Sequence, residues 1–166
     1  LNLPTNSRVR FDAVLPRIIV EAVQHGDSIE TLTRMITLME AISRRESYLA
    51  LLAEYPNTLT HVARVCGASP WAAEYLTRHP LLLDELLDTH ALLEKRDWPQ
   101  LARRLREELG DYPGTERQMD TLRNFKHAQT FHLLAQDLEG VLPIETLSDE
   151  LTALAQCVLE EVLRIA

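Results

Sequence analysis

The positions of glycine and proline constrain the fold of this chain more than any other sequence feature. Only five glycines occur among 166 residues. These glycines and most of the eight prolines fall between segments whose apolar residues recur at intervals of three and four, the spacing of amphipathic helices. Leucine occupies 30 positions, whereas isoleucine and valine together occupy 16, which favours helix over sheet. The sequence predicts an all-α fold of about eight helices, an irregular bundle with a long C-terminal helical hairpin.

Local signals place the first helices along the chain. A first helix is predicted to begin within residues 12–15, to hold Pro16 in its first turn and to end before Gly26. Asp27 caps a second helix, because its carboxylate can accept hydrogen bonds from backbone N–H groups of the first turn. The spacing of apolar residues carries this second helix to Glu54.

Short helices are predicted in the middle of the chain. Asn57 caps a third helix that ends at Gly67. Ser69 caps a fourth helix whose first position is Pro70, where the missing proline N–H costs nothing. Pro80 stops this helix and opens the next one, so the segment forms a helical corner.

The longest predicted elements lie in the C-terminal part. Asp97 caps a helix that ends at Gly110, and Thr115 forms a capping box with Gln118. The helix that follows this box has roughly 24 residues and closes at Gly140, where a final helix folds back to form a hairpin. The predicted inner seam of the final helix comprises Ile144, Leu147, Leu151, Leu154, Val158, Val162 and Ile165.

Charge and cysteine content limit the partners and the compartment of the protein. The formal net charge is −8, so the average surface repels the phosphate backbone of nucleic acids. Cys66 and Cys157 are too few for a disulfide framework, which indicates a reducing cytoplasm and two buried thiols. The sequence contains neither a long apolar run nor the apolar core of a signal peptide. We therefore expect a soluble, cytoplasmic fragment that binds neither nucleic acid nor membrane.

Four segments, taken in order, resemble one family of bacterial enzymes. They read RFDAVLPRII at residues 10–19, ISRRESYLALLAEYPNTLTHVARVCGASPW at 42–71, SPWAAEYLTRHPLLLDELLD at 69–88 and LRNFKHAQTFHLLAQDLEGVLP at 122–143. Together they cover nearly the whole chain. They are similar to the middle of the bacterial glutamine synthetase adenylyltransferases.

The resemblance implies a function for a longer protein. Members of the family add AMP from ATP to a tyrosine of glutamine synthetase and remove it again, use Mg²⁺, and respond to glutamine and to the PII signalling protein. Their catalytic motifs lie before and after the similar region, in flanking nucleotidyltransferase domains. The resemblance implies that residues 1–166 form a single all-α, non-catalytic segment. Residues 1–110 would be a helical connector, and residues 111–166 a hairpin leading into the C-terminal nucleotidyltransferase domain.

The residues themselves show no catalytic or metal-binding pattern. Nucleotidyl transfer with two metal ions needs paired carboxylates, and no Asp-x-Asp motif occurs in the chain. The six histidines include no pair three or four residues apart, the spacing that places two imidazoles on one helical face. Adjacent carboxylates such as Glu107 and Glu108 point apart on a helix and indicate solvated faces. We predict no catalytic, cofactor-binding or metal-binding residue in this chain.

Two groups of basic residues are candidates for contacts with other domains. Arg123 and Lys126 lie on the most basic face of the long predicted helix. This face is either solvated or turned toward the neighbouring nucleotidyltransferase domain and its triphosphate. Arg44 and Arg45 belong to a mixed charged patch that is either an interdomain contact or an exposed helix face.

An aromatic pair in the helical corner suggests an alternative function. Trp71 and Tyr75, with Leu82 and Leu86, would form an apolar corner through which a free-standing helical module binds a protein partner. If the corner instead packs within the fold, Trp71 is substantially buried. Its replacement by alanine would then cost about 3–5 kcal/mol of stability.

A helix-turn-helix DNA-binding protein is a further alternative. Residues 59–78 predict two helices joined by a tight turn, as this motif requires. The second of these helices holds Glu74 and no basic residue before Arg78. Base readout needs basic and amide groups near the N-terminal end of that helix, so the composition disfavours DNA binding.

Overall fold

A computed structural model of the protein describes residues 5–43, 46–87, 94–111 and 114–165. These residues form eight α-helices and one 3₁₀ helix, without a strand, which confirms the all-α prediction. In chain order the elements are α1 (Thr5–Gln24), α2 (Ser28–Ile42), α3 (Glu46–Glu54), α4 (Pro56–Ala68), α5 (Pro70–Arg78), the 3₁₀ helix (Pro80–Leu86), α6 (Trp98–Gly110), α7 (Thr115–Leu138) and α8 (Ile144–Ile165).

The chain divides into two compact units, Leu1–Thr89 and His90–Ala166. The first unit contains α1 to α5 and the 3₁₀ helix, and the second contains α6 to α8. Helix α6, which the sequence-based division at residue 110 groups with the connector, packs against α7 and α8 in the second unit. That division describes the organisation of a longer protein and stays a prediction.

A continuous set of buried apolar side chains forms the core of the first unit. Helix α1 packs against α2, α3 and α4, and α2 also packs against α5. Burying these side chains contributes most of the stability of such a bundle, because helices of this length are marginal in water by themselves. The inward face predicted for α1 is confirmed, and it comprises Phe11, Val14, Ile18 and Ala22.

Several predicted caps and breaks are confirmed. Asp27, Ser69 and Asp97 are the N-caps of α2, α5 and α6. Their side-chain oxygens accept hydrogen bonds from the backbone N–H of Ile29 at 3.0 Å, Ala72 at 3.3 Å and Gln100 at 3.0 Å. Helix α5 ends at Arg78 and Pro80 begins the 3₁₀ helix, so the predicted helical corner is present.

The predicted start of the first helix was wrong. Helix α1 begins at Thr5, which places Pro16 inside the helix and not in its first turn. Proline there leaves only the carbonyl of Asp12 without its helical N–H partner, and this residue is exposed to water. Burial of Phe11 and Val14 stabilises the turns before the proline.

The predicted continuity of the second helix was also wrong. Helix α2 ends at Ile42, and α3 begins at Glu46. Both the backbone N–H and the hydroxyl of Ser43 donate to the carbonyl oxygen of Glu40, at 3.2 and 2.7 Å. A serine side chain that bonds to the preceding turn competes with the helical pattern, which gives a local reason for this end.

Two predicted caps lie one or two residues from the true ones. Pro56, not Asn57, begins α4, and its N-cap Tyr55 makes no side-chain capping bond. Thr115 is the first residue of α7, where Gly114 is the N-cap. The side chain of the predicted box partner, Gln118, donates instead to the carbonyl oxygen of Leu109 at 3.1 Å.

Two glycines allow the α1–α2 turn to approach the end of α4. Gly26 has a φ of 73°, a left-handed conformation that glycine adopts without strain. A Cβ atom added to Gly67 would lie 2.6 Å from the carbonyl oxygen of His25, too close for any side chain. That oxygen also accepts a hydrogen bond from the Thr31 hydroxyl at 2.8 Å. Arg34 Nη1 adds a second link by donating to the carbonyl oxygen of Cys66 at 2.9 Å.

The second unit encloses a smaller core between α6, α7 and the C-terminal half of α8. Leu105, Leu109, Leu122 and Cys157 form its centre, and Phe125 packs against them. Polar links join the three helices to one another and to the segment before α6. The Trp98 indole N–H donates to Glu150 Oε2 at 2.5 Å, the Gln136 amide donates to the Glu94 carbonyl oxygen at 2.7 Å, and Arg106 pairs with the buried Glu161 at 2.7 Å.

The predicted inner seam of α8 was partly wrong. Leu154 is buried, and Val158, Val162 and Ile165 are partly buried. Ile144 and Leu151 are instead exposed, while Cys157 and Glu161 lie inside. The ion pair of Glu161 with Arg106 offsets the cost of burying a carboxylate and thereby favours this rotation of the helix about its axis.

Replacement of Gly67 by alanine tests the close approach of the turn to α4. We expect Gly67→Ala to lower the free energy of unfolding by about 1–3 kcal/mol, because the added methyl group overlaps the His25 carbonyl oxygen. Gly110→Ala is the matched control, since a Cβ atom there meets no atom within 4 Å. Urea titrations followed by circular dichroism measure both changes. Equal stability of the two variants would contradict the predicted contact.

Candidate interaction site

Three rings form a row along α5. Trp71, Tyr75 and His79 follow one another at intervals of four residues, which places them on one face of the helix. The rings of Trp71 and Tyr75 stack with centroids 4.9 Å apart and planes 23° apart. Tyr75 and His79 are also 4.9 Å apart, with planes tilted by 59°. These three residues form an aromatic row, in which Trp71 is exposed and Tyr75 and His79 are partly buried.

The predicted burial of Trp71 was wrong, because its side chain is 53% exposed. The buried face of α5 consists of Ala72, Ala73 and Leu76. Small alanine side chains let α5 approach its neighbours closely and leave the tryptophan outside. Trp71→Ala would remove mainly the stacking on Tyr75, so the expected loss of stability falls to about 0.5–1.5 kcal/mol.

The leucines assigned to the same apolar corner do not share this exposed face. Leu82 and Leu86 are buried in the core of the first unit. They therefore cannot take part in an accessible surface with Trp71 and Tyr75. The aromatic row alone remains of the predicted corner.

The basic residues singled out in the sequence lie elsewhere in the chain. Arg123 and Lys126 are exposed on α7 in the second unit, where Arg123 pairs with Asp120 at 2.7 Å. Arg44 and Arg45 lie outside the described residues. In α5, Arg78 pairs with Glu74, so the basic group of the would-be recognition helix has an acidic partner in its own helix.

A buried carboxylate, that of Glu21, with two basic neighbours was not predicted from the sequence. Glu21 lies in the interface of α1 with α4, where its Oε1 accepts a hydrogen bond from the Thr60 hydroxyl at 3.0 Å. Arg17 Nε lies 3.7 Å from the same oxygen, and His25 Nε2 lies 3.6 Å from Glu21 Oε2. The four-residue spacing of Arg17, Glu21 and His25 is the one signal that could have indicated it.

The described residues contain neither a cluster of metal ligands nor a membrane-spanning helix. No group of three or more His, Cys, Asp or Glu side chains in this part of the chain could hold a metal ion. The side chains of this part of the chain therefore do not provide a ligand set of that kind for the Mg²⁺ that the resemblance implies. Among the same residues, no helix is both long and apolar enough to cross a bilayer.

Sequence comparison identifies the family. A sequence model described as Glutamate-ammonia ligase adenylyltransferase matches residues 59–166, which is more than half of the chain. The chain belongs to this family. The resemblance inferred from the sequence is thereby confirmed.

Relatives across the family match nearly the whole chain. The bifunctional glutamine synthetase adenylyltransferase/adenylyl-removing enzyme of Chromobacterium violaceum is 50% identical over 167 residues, covering 100% of this chain and 19% of the relative. The same enzyme of Aromatoleum aromaticum is 52% identical over 159 residues, covering 95% of this chain and 17% of the relative. The same enzyme of Neisseria meningitidis serogroup A is 44% identical over 166 residues, covering 99% of this chain and 18% of the relative. The chain thus spans less than a fifth of the length of these adenylyltransferases.

The two thiols of this adenylyltransferase segment are predicted to be unreactive. Burial raises the pKa of the Cys66 thiol to about 12, an effect that Arg34 partly opposes. Burial, followed by the charges of Glu161 and Glu160, also raises the pKa of the Cys157 thiol. At about pH 8 we expect both to react with a disulfide reagent at least about tenfold more slowly in the native chain than in urea, because the thiolate is the nucleophile. Rapid native labelling of Cys66 would contradict its burial.

The raised pKa of Cys66 also predicts a pH dependence of stability. The folded state holds the thiol proton more tightly than the unfolded state, so this contribution is complete below the ordinary pKa of about 9 and is lost as the pH rises toward about 12. The difference in unfolding free energy between the wild type and Cys66→Ala should therefore shrink above about pH 9. Urea titrations at several pH values measure this difference. A constant difference would contradict the prediction.

Proposed function

We propose that this chain is the non-catalytic central part of a bifunctional glutamine synthetase adenylyltransferase/adenylyl-removing enzyme. The observation that carries the proposal is the extent of the match. Relatives with this name align with 89–100% of the chain at 44–52% identity, while the chain covers only 16–19% of their length. The match includes nearly all of this chain but less than a fifth of each relative. This is the result expected if the chain is one structural segment of such an enzyme.

The activity of the longer protein follows from the family. It would transfer AMP from ATP, with Mg²⁺, to a tyrosine of glutamine synthetase and remove AMP from the modified enzyme. It would act in the cytoplasm, where glutamine and the PII signalling protein report nitrogen status. These substrates, cofactors and regulators would bind mainly outside the present chain, in the flanking nucleotidyltransferase domains.

The mechanical role proposed for this segment is a helical connector between the two catalytic halves. Packed helices move as units, so a rigid bundle can transmit a displacement from one end to the other. Both units also expose apolar side chains on helices that are otherwise well packed. Val20 and Val23 lie on the outer side of α1, and Leu159 and Leu163 on the outer side of α8. Such faces support the proposal, because further parts of a longer polypeptide would cover them.

A second candidate function is favoured by the aromatic row. Trp71 is half exposed and held in place by its stack on Tyr75, and such rigid aromatic side chains are frequent anchors of protein interfaces. The row could bind a regulatory protein directly. Connector and binding module differ in what a change at Trp71 does to the full-length enzyme.

The full-length enzyme carrying Trp71→Ala tests the connector role. We expect both basal activities to change less than the response to glutamine or PII, which should fall by about threefold or more, within the range of ordinary allosteric coupling. Tyr55→Ala is the matched control, because Tyr55 is a similarly exposed aromatic residue of the same unit outside the row. Both AMP transfer and AMP removal are assayed with and without each effector, on protein shown to be folded.

Three outcomes distinguish the candidates. Loss of the PII response together with loss of PII binding would favour the direct binding module. A weakened response with intact PII binding would favour the connector. If both basal rates fall while the ratio of the rates with and without effector stays unchanged, α5 only supports the fold. The regulatory role would then be wrong.

A further inference from the structure

An apolar ridge runs along the outer side of α8. Leu151, Ala155, Leu159 and Leu163 follow one another at intervals of four residues and are all exposed, the leucines by 43%, 59% and 75%. Ile144, about two turns before Leu151, is also exposed. The sequence pattern assigned Leu151 and Ile144 to the inner seam. The structure places them in this outer ridge instead.

The inner side of α8 is already occupied. Leu154, Cys157 and Glu161 are buried, and Glu161 is fixed by Arg106. At about 100° per residue, Leu159 lies about 160° around the helix from Glu161. The helix cannot turn the ridge inward without exposing this buried set. Apolar residues therefore cover more than half of its circumference, as in a helix that is packed on two sides.

The geometry of the ridge indicates what covers it. A row of side chains at intervals of four is the ridge that fits the groove of a second helix in the commonest class of helix packing. On its solvent side the ridge is bordered by one acidic side chain, Glu160, which lies three residues before Leu163. A partner helix with Lys or Arg beside its apolar stripe would complement this border.

The charge pattern disfavours a second copy of the chain as the partner. Two α8 helices packed ridge to ridge would bring their acidic borders close together, and the net charge of −8 adds to the repulsion. The relatives supply another source, because about four-fifths of their length lies outside the matching segment. A helix from that remainder is joined covalently to α8 and so is present at high effective concentration.

We propose that the outer ridge of α8 is a docking surface for an amphipathic, basic-bordered helix from another part of the same longer polypeptide. The proposal rests on the proposed function, in that it takes the chain to be a segment of a larger enzyme. It assigns α8 a second interface besides the core of its own unit. Docking on this interface would fix the position of the unit within the full-length enzyme.

Cysteine labelling of the full-length protein tests the proposal. Ala155→Cys places a thiol of nearly the original size in the middle of the ridge, and Leu159→Cys provides a second ridge position. Asp149→Cys is the matched control, because Asp149 is exposed and lies about 160° around the helix from Leu151. Labelling rates with iodoacetamide are measured in native buffer and in urea, and mass spectrometry quantifies the label at each position.

Protection of the ridge is the expected result. Relative to its rate in urea, Ala155→Cys should react at least about tenfold more slowly than Asp149→Cys, because the docked helix excludes the reagent. Equal native rates for Ala155→Cys and Asp149→Cys would overturn the proposal. Protection that disappears on dilution would also overturn it, since a second copy would then be the partner. Leu159→Cys should show the same protection.

A photo-crosslinking residue at position 159 identifies the partner. The expected product is an intramolecular link to a peptide outside the matching segment, and a crosslinked dimer would overturn the proposal. The two AMP reactions are assayed on the same preparations. An unprotected ridge in an enzyme with both activities would reject the docking surface alone, whereas absence of both activities in the unmodified full-length protein would reject the proposed function.

Discussion

The contact between the α1–α2 turn and the end of α4 sets the geometry of the first unit. Gly67 lacks the Cβ atom that would collide with the His25 carbonyl oxygen, and Gly26 adopts the left-handed conformation that the turn requires. Because two backbones touch, α1, α2 and α4 come close enough for their apolar faces to form one core. Thr31 and Arg34 then bind the carbonyl groups that this approach would otherwise leave buried without a donor.

In the second unit, an ion pair between Arg106 and Glu161 sets the packing of the helices. Glu161 is buried on α8 and accepts hydrogen bonds from Arg106 of α6, which fixes both the packing and the rotation of α8. A buried pair of this kind specifies one arrangement more than it adds stability, because desolvation offsets much of the attraction. Its consequence is visible on the far side of the helix, where an apolar ridge is left exposed. The pairing of Glu161 with Arg106 thus determines which face of α8 is left for docking.

The features on which function would rely lie on the outside of the bundle. The aromatic row of α5 and the ridge of α8 are surfaces that the core does not need, and among the described residues neither belongs to a group of three or more metal-binding side chains. This pattern is typical of a segment that works by contact with other domains. It fits the family membership, in which a chain of this size is less than a fifth of a large enzyme.

The all-α class, the helical corner at Pro80 and the caps at Asp27, Ser69 and Asp97 could be read from the sequence, because each follows from propensity or from contacts within three residues. The exposed position of Trp71 and the outward turn of Leu151 could not. Periodicity identifies the apolar residues of a helix but not which of two apolar faces meets the core. For α5 the close packing of Ala72 and Ala73 made that choice, and for α8 the buried Glu161 did. Tertiary packing decided both because only the neighbouring helices distinguish one face from the other.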